Sequence, residues 1–381
     1  MQALSVARWR ALVPALLVAA AVVLAWLLSL QDYQADLRVF YEAGNAVLQG
    51  ESPYPAVGTP AVYSEHAFVY PIAAVVPFLP LALLPWGLAK LVFFALSVVA
   101  VILALRLIGV RGALPFIAVF LSSSFIRSGQ LGTLNALLLA GALVAWHYRD
   151  SVAPLVGVLT AVIVPKLFLA PLLGWPLVTR RWKATAVTVI AVAAVLGIGF
   201  VVGPLSVTDY AQMMGELSDK LAHKGWGGYR LLLDITGSHQ VAQFGTWLGA
   251  AAVLGVSLAW YLRYRAEVIL FTGAIVAAII ASPIVWTHYY LLAMAPLLVA
   301  GVRARWLVAF AVGNWVFSPP PGTGTVAKVL LAPYNSNTPR AVGLLAVLLA
   351  VWVLMLTTTR REALAEVATP ARAPAEVQPQ M

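Results

Sequence analysis

Residues Asp32–Tyr54, DYQADLRVFYEAGNAVLQGESPY, follow an unbroken apolar run and hold Asp32, Asp36, Glu42 and Glu51 in a chain with only 14 acids. Leu37, Phe40, Tyr41, Gly44, Val47 and Leu48 recur at helical spacing, while Arg38, Glu42, Asn45 and Gln49 take the other face. The pattern predicts a short amphipathic helix lying on a membrane surface, with Asp36 at its start. Aspartate is a favoured N-cap, so capping alone would account for Asp36. Chemistry is the competing reading, and Asp32, one turn earlier, is the reserve acid.

The rest of the chain says why a membrane is expected. Of 381 residues, 62% are hydrophobic and 10% charged, and the mean hydropathy is +0.91. Too few charges remain to solvate a water-soluble surface. The net charge of +10 does not point to nucleic acid, because Lys and Arg sit in short clusters between apolar runs, as in cytoplasmic membrane loops. With no cysteine, disulfides, thiolate nucleophiles and Cys-ligated metals are excluded. Met1 to Leu30 resembles a signal peptide in its basic start, but its apolar stretch is too long for one. An uncleaved first transmembrane helix over 11–30 is expected.

Further apolar runs cover 67–106 in two pieces, then 113–126, 131–148, 152–165, 167–179, 184–203, 241–262, 267–282, 286–301, 304–318 and 341–358. Several are shorter than the ~20 residues of a straight span. Short and Pro-broken helices survive in a bilayer where protein or a water-filled cavity covers the freed backbone. A central cavity is therefore expected. The basic clusters, from Arg8 and Arg10 to Arg360 and Arg361, are placed in the cytoplasm. Each interval between them then crosses an even number of times, which makes the Pro-rich 67–85 a half-helix or re-entrant piece. The expected architecture is an all-α polytopic membrane protein of about 12 crossings with both termini cytoplasmic. Residues 1–361 form one integral-membrane domain, and 362–381 read as a disordered cytoplasmic tail. Residues 51–66 read as irregular. Loops 31–66, 204–240 and 319–340 fall on the far side, where an outward-facing hydrolytic or transfer site is expected.

Polar groups at membrane depth are expensive and mark function. Three places carry them. In Ser122–Asn135, SSSFIRSGQLGTLN, at an outer turn between two short helices, Arg127 and Gln130 stand close to the end of one helix and Asn135 begins the next. They suit a phosphate or sugar site, or equally a capped hairpin with a snorkelling Arg. In VIVPKLFLAP, Lys166 has no acid nearby in sequence and suits an anion as a point charge; snorkelling is the alternative. In Ala281–Pro296, ASPIVWTHYYLLAMAP, Pro283 breaks a helix, and Trp286, Tyr289 and Tyr290 form an ordinary aromatic belt around a less ordinary His288. The other histidines lack metal-ligand spacing, and no Walker loop or G-x-S-x-G elbow is present. Neither a metal nor a nucleotide or other cofactor is expected.

Five stretches in order, ADLRVFYEAGNAVLQGESPY, FVYPIAAVVPFLPLALLP, SGQLGTLNALLL, GVLTAVIVPKLFLAPLL and SPIVWTHYYLLAMAP, span residues 35 to 296. Together they resemble glycosyltransferase family 87, polyprenyl-phosphate-sugar-dependent transferases of the GT-C fold. The resemblance implies a sugar, mannose first, moved from a polyprenyl-phosphate donor to an acceptor hydroxyl on a lipid-linked or polysaccharide glycan outside the cytoplasmic membrane, with inversion. It implies Asp36 as general base. His288 would bind the donor phosphate, with Lys166 and Arg127 stabilising its developing charge. Gln130, Asn135, Tyr41, Trp286 and Tyr289 are the remaining donor-site candidates, and no metal is required. Trp226, Tyr229, Tyr334 and Asn335 are candidate acceptor-side walls. An arabinofuranosyltransferase is the nearest alternative. A transporter or flippase for a lipid-linked saccharide would also suit broken helices, although it has no need of an acidic helix over its cavity.

Overall fold

The computed structural model describes residues 34–64, 67–318 and 337–368. The expected first span, Asp32, Tyr334 and Asn335 lie outside them. No strand occurs among the described residues; the chain is a bundle of helices of very unequal length. Four are long and apolar enough to cross a membrane: α3 (Trp86–Leu107), α9 (Trp182–Val202), α12 (His239–Tyr264) and the 338–361 part of α16 (Asn337–Ala368). A fifth candidate is the bent pair α4 (Ala113–Phe120) and α5 (Ser123–Leu131), which turns by 53°. Outward-facing Leu103, Val201 and Trp247 are 63%, 85% and 59% exposed, a surface that lipid tolerates and water does not.

The expectation of about twelve crossings is met only in part, because several expected spans are short pieces. Three of them share one construction. A seven-residue 3-10 helix leads into a short α-helix: Ile72–Phe78 into α2 (Leu79–Ala82), Leu167–Leu173 into α8 (Gly174–Val178), and Thr287–Ala293 into α14 (Met294–Val299). Proline explains the poor helix in two of them, since Pro77 and Pro171 sit inside the 3-10 segments and remove backbone donors. At the centre stands α13 (Glu267–Ala281), buried on every side from Ile269 to Ile280 and packed by α12, α16 and the Leu167–Leu173 piece. A helix apolar all round belongs in such a position.

As the sequence suggests, Asn135 begins a helix, and Arg127 and Gln130 lie toward the end of the one before it, α5. The Ser122 hydroxyl accepts from Phe125 N at 3.2 Å and starts it, and Gly132, at φ 68°, ends it. The stretch 204–240, expected on the far side, holds two amphipathic helices, α10 (Val207–Leu221) and α11 (Gly228–Thr236). Within 51–66 one 3-10 turn forms, Pro60–Tyr63, and Gly58 N donates to Glu216 of α10 at 3.1 Å. The last helix runs on to Ala368, past the boundary expected at residue 361.

Candidate active site

The amphipathic helix of the opening stretch is α1 (Ala35–Leu48). It begins two residues earlier than an Asp36 cap would place it. Gln34 occupies the N-cap position in a left-handed conformation with no side-chain cap, so Asp36 lies within the first turn and caps nothing. Two contacts fix this helix end. Gln34 Nε2 donates to Gly129 O at 3.1 Å, and a Cβ added at Gly132 would fall 2.5 Å from the Leu37 Cβ. Along α1, Phe40 stacks on Tyr70 and Phe78 at 4.6 and 4.4 Å between ring centroids. Gly44 lets the helix close on Ala82, where an added Cβ would sit 2.9 Å from the Ala82 Cβ. The glycines and aromatics of the apolar face thus hold Asp36 beside the Ile72–Phe78 piece.

The three 3-10 pieces converge on Lys166. This side chain is only 7% exposed, and its ammonium donates to Tyr70 OH at 3.1 Å and Tyr289 OH at 2.9 Å. It also lies 4.7 and 4.8 Å from the centroids of those two rings. Phe168 stacks flat on Tyr289 at 5.1 Å and locks the two pieces together. An ammonium has three N–H donors. Two are spent on phenols and no carboxylate pairs with it among the described residues, so the third is available to an anion.

A cavity of about 780 Å³ opens at this point, lined by Asp36, Arg127, Lys166, Trp286, His288 and Tyr289 together with residues of α10 and the Trp226 loop. Its volume falls in the range of small-molecule sites. Among its described lining residues Asp36 is the single acid, facing Arg127, Lys166, Lys224 and Arg340. The Asp36 carboxylate makes no hydrogen bond or ion pair among the described residues. Burial pushes its carboxyl above the usual carboxylate range, and the charges of Lys166 and Arg127 oppose that shift. His288 is 2% exposed, and neither ring nitrogen has a hydrogen-bond partner. Buried polar atoms are almost always satisfied, which makes this imidazole on the cavity wall a candidate binding group.

Of the residues singled out in the sequence, Asp36, Arg127, Lys166, Trp286, His288 and Tyr289 meet in this cavity. Gln130, Asn135 and Tyr41 do not line it. Gln130 and Asn135 are buried in the α5–α6 (Asn135–His147) junction, where Asn135 N donates to Thr133 Oγ1 at 3.3 Å. Tyr41 donates to Leu84 O at 2.8 Å and helps seat α1. Sequence reasoning passed over Tyr70, Lys224 and Arg340. Tyr70 precedes Pro71 much as Val164 precedes Pro165 and Lys166, so the repeated break was a usable signal. Arg340 was visible as a cation in a loop expected opposite the basic clusters.

Residues 68–319 match the model of a protein family described as glycosyltransferase family 87. The chain belongs to glycosyltransferase family 87. Family membership makes it a membrane glycosyltransferase, acting between a sugar donor and an acceptor. No curated protein and no solved structure matches it. The region matched to family 87 contains Arg127, Lys166 and His288; Asp36 precedes it. No group of three or more His, Asp or Glu side chains able to hold a metal ion occurs among the described residues.

Proposed function

We propose that this family 87 enzyme transfers a sugar, mannose first, from a polyprenyl-phosphate donor to an acceptor hydroxyl on a lipid-linked or polysaccharide glycan, with inversion at the anomeric carbon. The observation that carries the reading is the meeting in a single cavity of Asp36, the one acid among its described lining residues, with Lys166, Arg127 and His288, whose ring nitrogens have no partner among the described residues. In this reaction Asp36 takes the acceptor O–H proton while the acceptor oxygen attacks the sugar C1. The bond from C1 to the phosphate oxygen breaks, and its electron pair leaves with the phosphate. That leaving group needs no proton; it needs charge stabilisation, which Lys166 and Arg127 supply and to which His288 donates. The cavity faces the extracytoplasmic side of the plasma membrane, opposite the basic loops, and both termini are cytoplasmic.

The test is transfer of radiolabel from polyprenyl-phosphate-mannose to a crude glycolipid acceptor mixture by purified protein in lipid, beside Asp36→Asn. Labelled product from the wild type alone supports the reading. Equal product from both removes Asp36 as the base. Product only from a polyprenyl-phosphate pentose assigns arabinosyl transfer, and none from any sugar donor favours movement of a lipid-linked saccharide.

A further inference from the structure

Two residues before Asp36, Gln34 carries two costs that a glycine there would not. Its backbone sits at φ 50°, in the left-handed region that side chains seldom adopt. The residue is also only 3% exposed, and its Oε1 has no hydrogen-bond partner among the described residues. Buried polar oxygens are rarely left in that state. The backbone around it is held in place. The Gln34 carbonyl accepts from Arg38 N at 3.0 Å, and a Cβ added at Gly132 would lie 3.4 Å from the Gln34 Cβ.

The nitrogen end of the carboxamide is committed, because Nε2 donates to Gly129 O at 3.1 Å. The opposite assignment of the amide would set two acceptor oxygens against each other, so this bond fixes which end is the nitrogen. What remains is Oε1, a neutral acceptor, on a residue that lines the cavity of Asp36, Lys166 and His288. Gln34 is the single carboxamide among the described lining residues. The cationic side chains there can only donate, and Asp36 is occupied as the proposed base. A sugar ring drawn out of water brings several O–H groups, and each needs an acceptor.

The place of Gln34 in the fold selects which sugar. It precedes α1, which carries Asp36, and its amide is bonded to α5, which carries Arg127 two residues before Gly129. In the proposed reaction the transferred sugar lies between the base and the phosphate cations, since C1 is attacked from one side and releases phosphate on the other. Gln34 bridges those two sides.

We propose that Gln34 binds the transferred sugar, its Oε1 accepting from one ring hydroxyl while Nε2 stays on Gly129 O. This rests on the donor phosphate lying against Lys166 and Arg127. Gln34 is then a specificity residue, because a donor without that hydroxyl leaves a buried acceptor unpaired.

The measurement needs no turnover. Full-length protein in phosphatidylcholine nanodiscs is titrated, without acceptor, with farnesyl phosphate and with farnesyl phosphates carrying mannose or arabinose. The ratio of dissociation constants is the sugar increment, and the sugar with the larger increment is carried forward. Gln34→Met keeps the length of the side chain without its carboxamide. It lowers the increment about tenfold and leaves farnesyl phosphate binding within about twofold. Gln34→Gly, which suits the left-handed backbone, gives the same loss and serves where the Met variant fails to fold. Donors each lacking one sugar hydroxyl are then compared in the wild type and Gln34→Met. One of them binds the wild type about tenfold more weakly than its parent and loses nothing further in the variant, the coupling of a direct partner. A purely structural role weakens every donor alike, which overturns the proposal. An increment unchanged in both variants, or no increment from either sugar, overturns it while farnesyl phosphate binding leaves the donor reading standing. No binding of farnesyl phosphate by the wild type overturns both. In the transfer assay, a raised acceptor KM in Gln34→Met with the sugar increment intact assigns Oε1 to the acceptor and overturns the proposal equally.

Discussion

The two ends of α13 and of α7 (Val152–Ile163) treat charge in opposite ways. At their N-terminal ends lies a cluster in which every charge is answered. Arg181 bonds both Glu267 and Asp150, the latter at 2.6 Å, and the Trp175 indole donates to Glu267 at 2.6 Å. Arg149 stands 3.7 Å from each of those acids. At their C-terminal ends, about 20 Å away along the helices, Asp36 has no ion-pair partner among the described residues, neither His288 nitrogen has a hydrogen-bond partner there, and Lys166 rests on two phenols. The first cluster ties together the α6–α7 loop, the α8–α9 junction and the start of α13. Its charges are spent on one another. The second has charges left over among the described residues, which is the arrangement the proposed donor phosphate would use.

The largest expected break in this contrast is Asp36→Asn. Loss of the proposed general base lowers kcat by roughly 100- to 10,000-fold. Stability moves the other way. A carboxyl whose folded-state pKa is raised destabilises the fold as pH climbs past its unfolded value, so the amide leaves the thermal midpoint at neutral pH equal or higher. For the same reason wild-type kcat falls with acidification while ordinary carboxylates are still ionised. A wild-type profile that is flat down to the ordinary carboxylate range, or an Asp36→Asn protein that is active, breaks the assignment.

Lys166→Gln comes next, with a loss of about 100- to 1,000-fold in transfer, read from initial rates at saturating donor. At the balanced end, Glu267→Gln should cost about 1–3 kcal/mol of stability, because Arg181 keeps Asp150 and part of its exposure. Activity per folded molecule stays within about twofold. Thermal unfolding beside kcat checks it; a kcat collapse without destabilisation would show that the two ends are not separate. The smallest effect belongs to Tyr289→Phe. It removes one neutral partner of the ammonium and keeps the stacked ring, so donor KM changes about fivefold or less, measured by donor titration against Tyr70→Phe.

Much of this was legible in the chain itself. The membrane class follows from composition, because a chain this apolar has no other solvent. The helical period of Leu37, Phe40, Gly44 and Val47 was enough for α1, and Pro77, Pro171 and Pro283 announced broken helices. Asp36, Lys166 and His288 stood out because polar groups in apolar runs are costly. Three things were decided only by the tertiary structure. Gln34, held by Gly129 O, sets the helix start and relieves Asp36 of capping, a bond across 95 residues that no local pattern encodes. Gln130 and Asn135, polar at the right spacing, turn into a packed junction instead of the cavity. Arg340 reaches the cavity although its sequence neighbourhood resembles an ordinary helix start. Local periodicity and polarity fix which face of each helix is costly to bury. Which of those faces meet, and which charges are left without partners, depends on contacts between segments hundreds of residues apart.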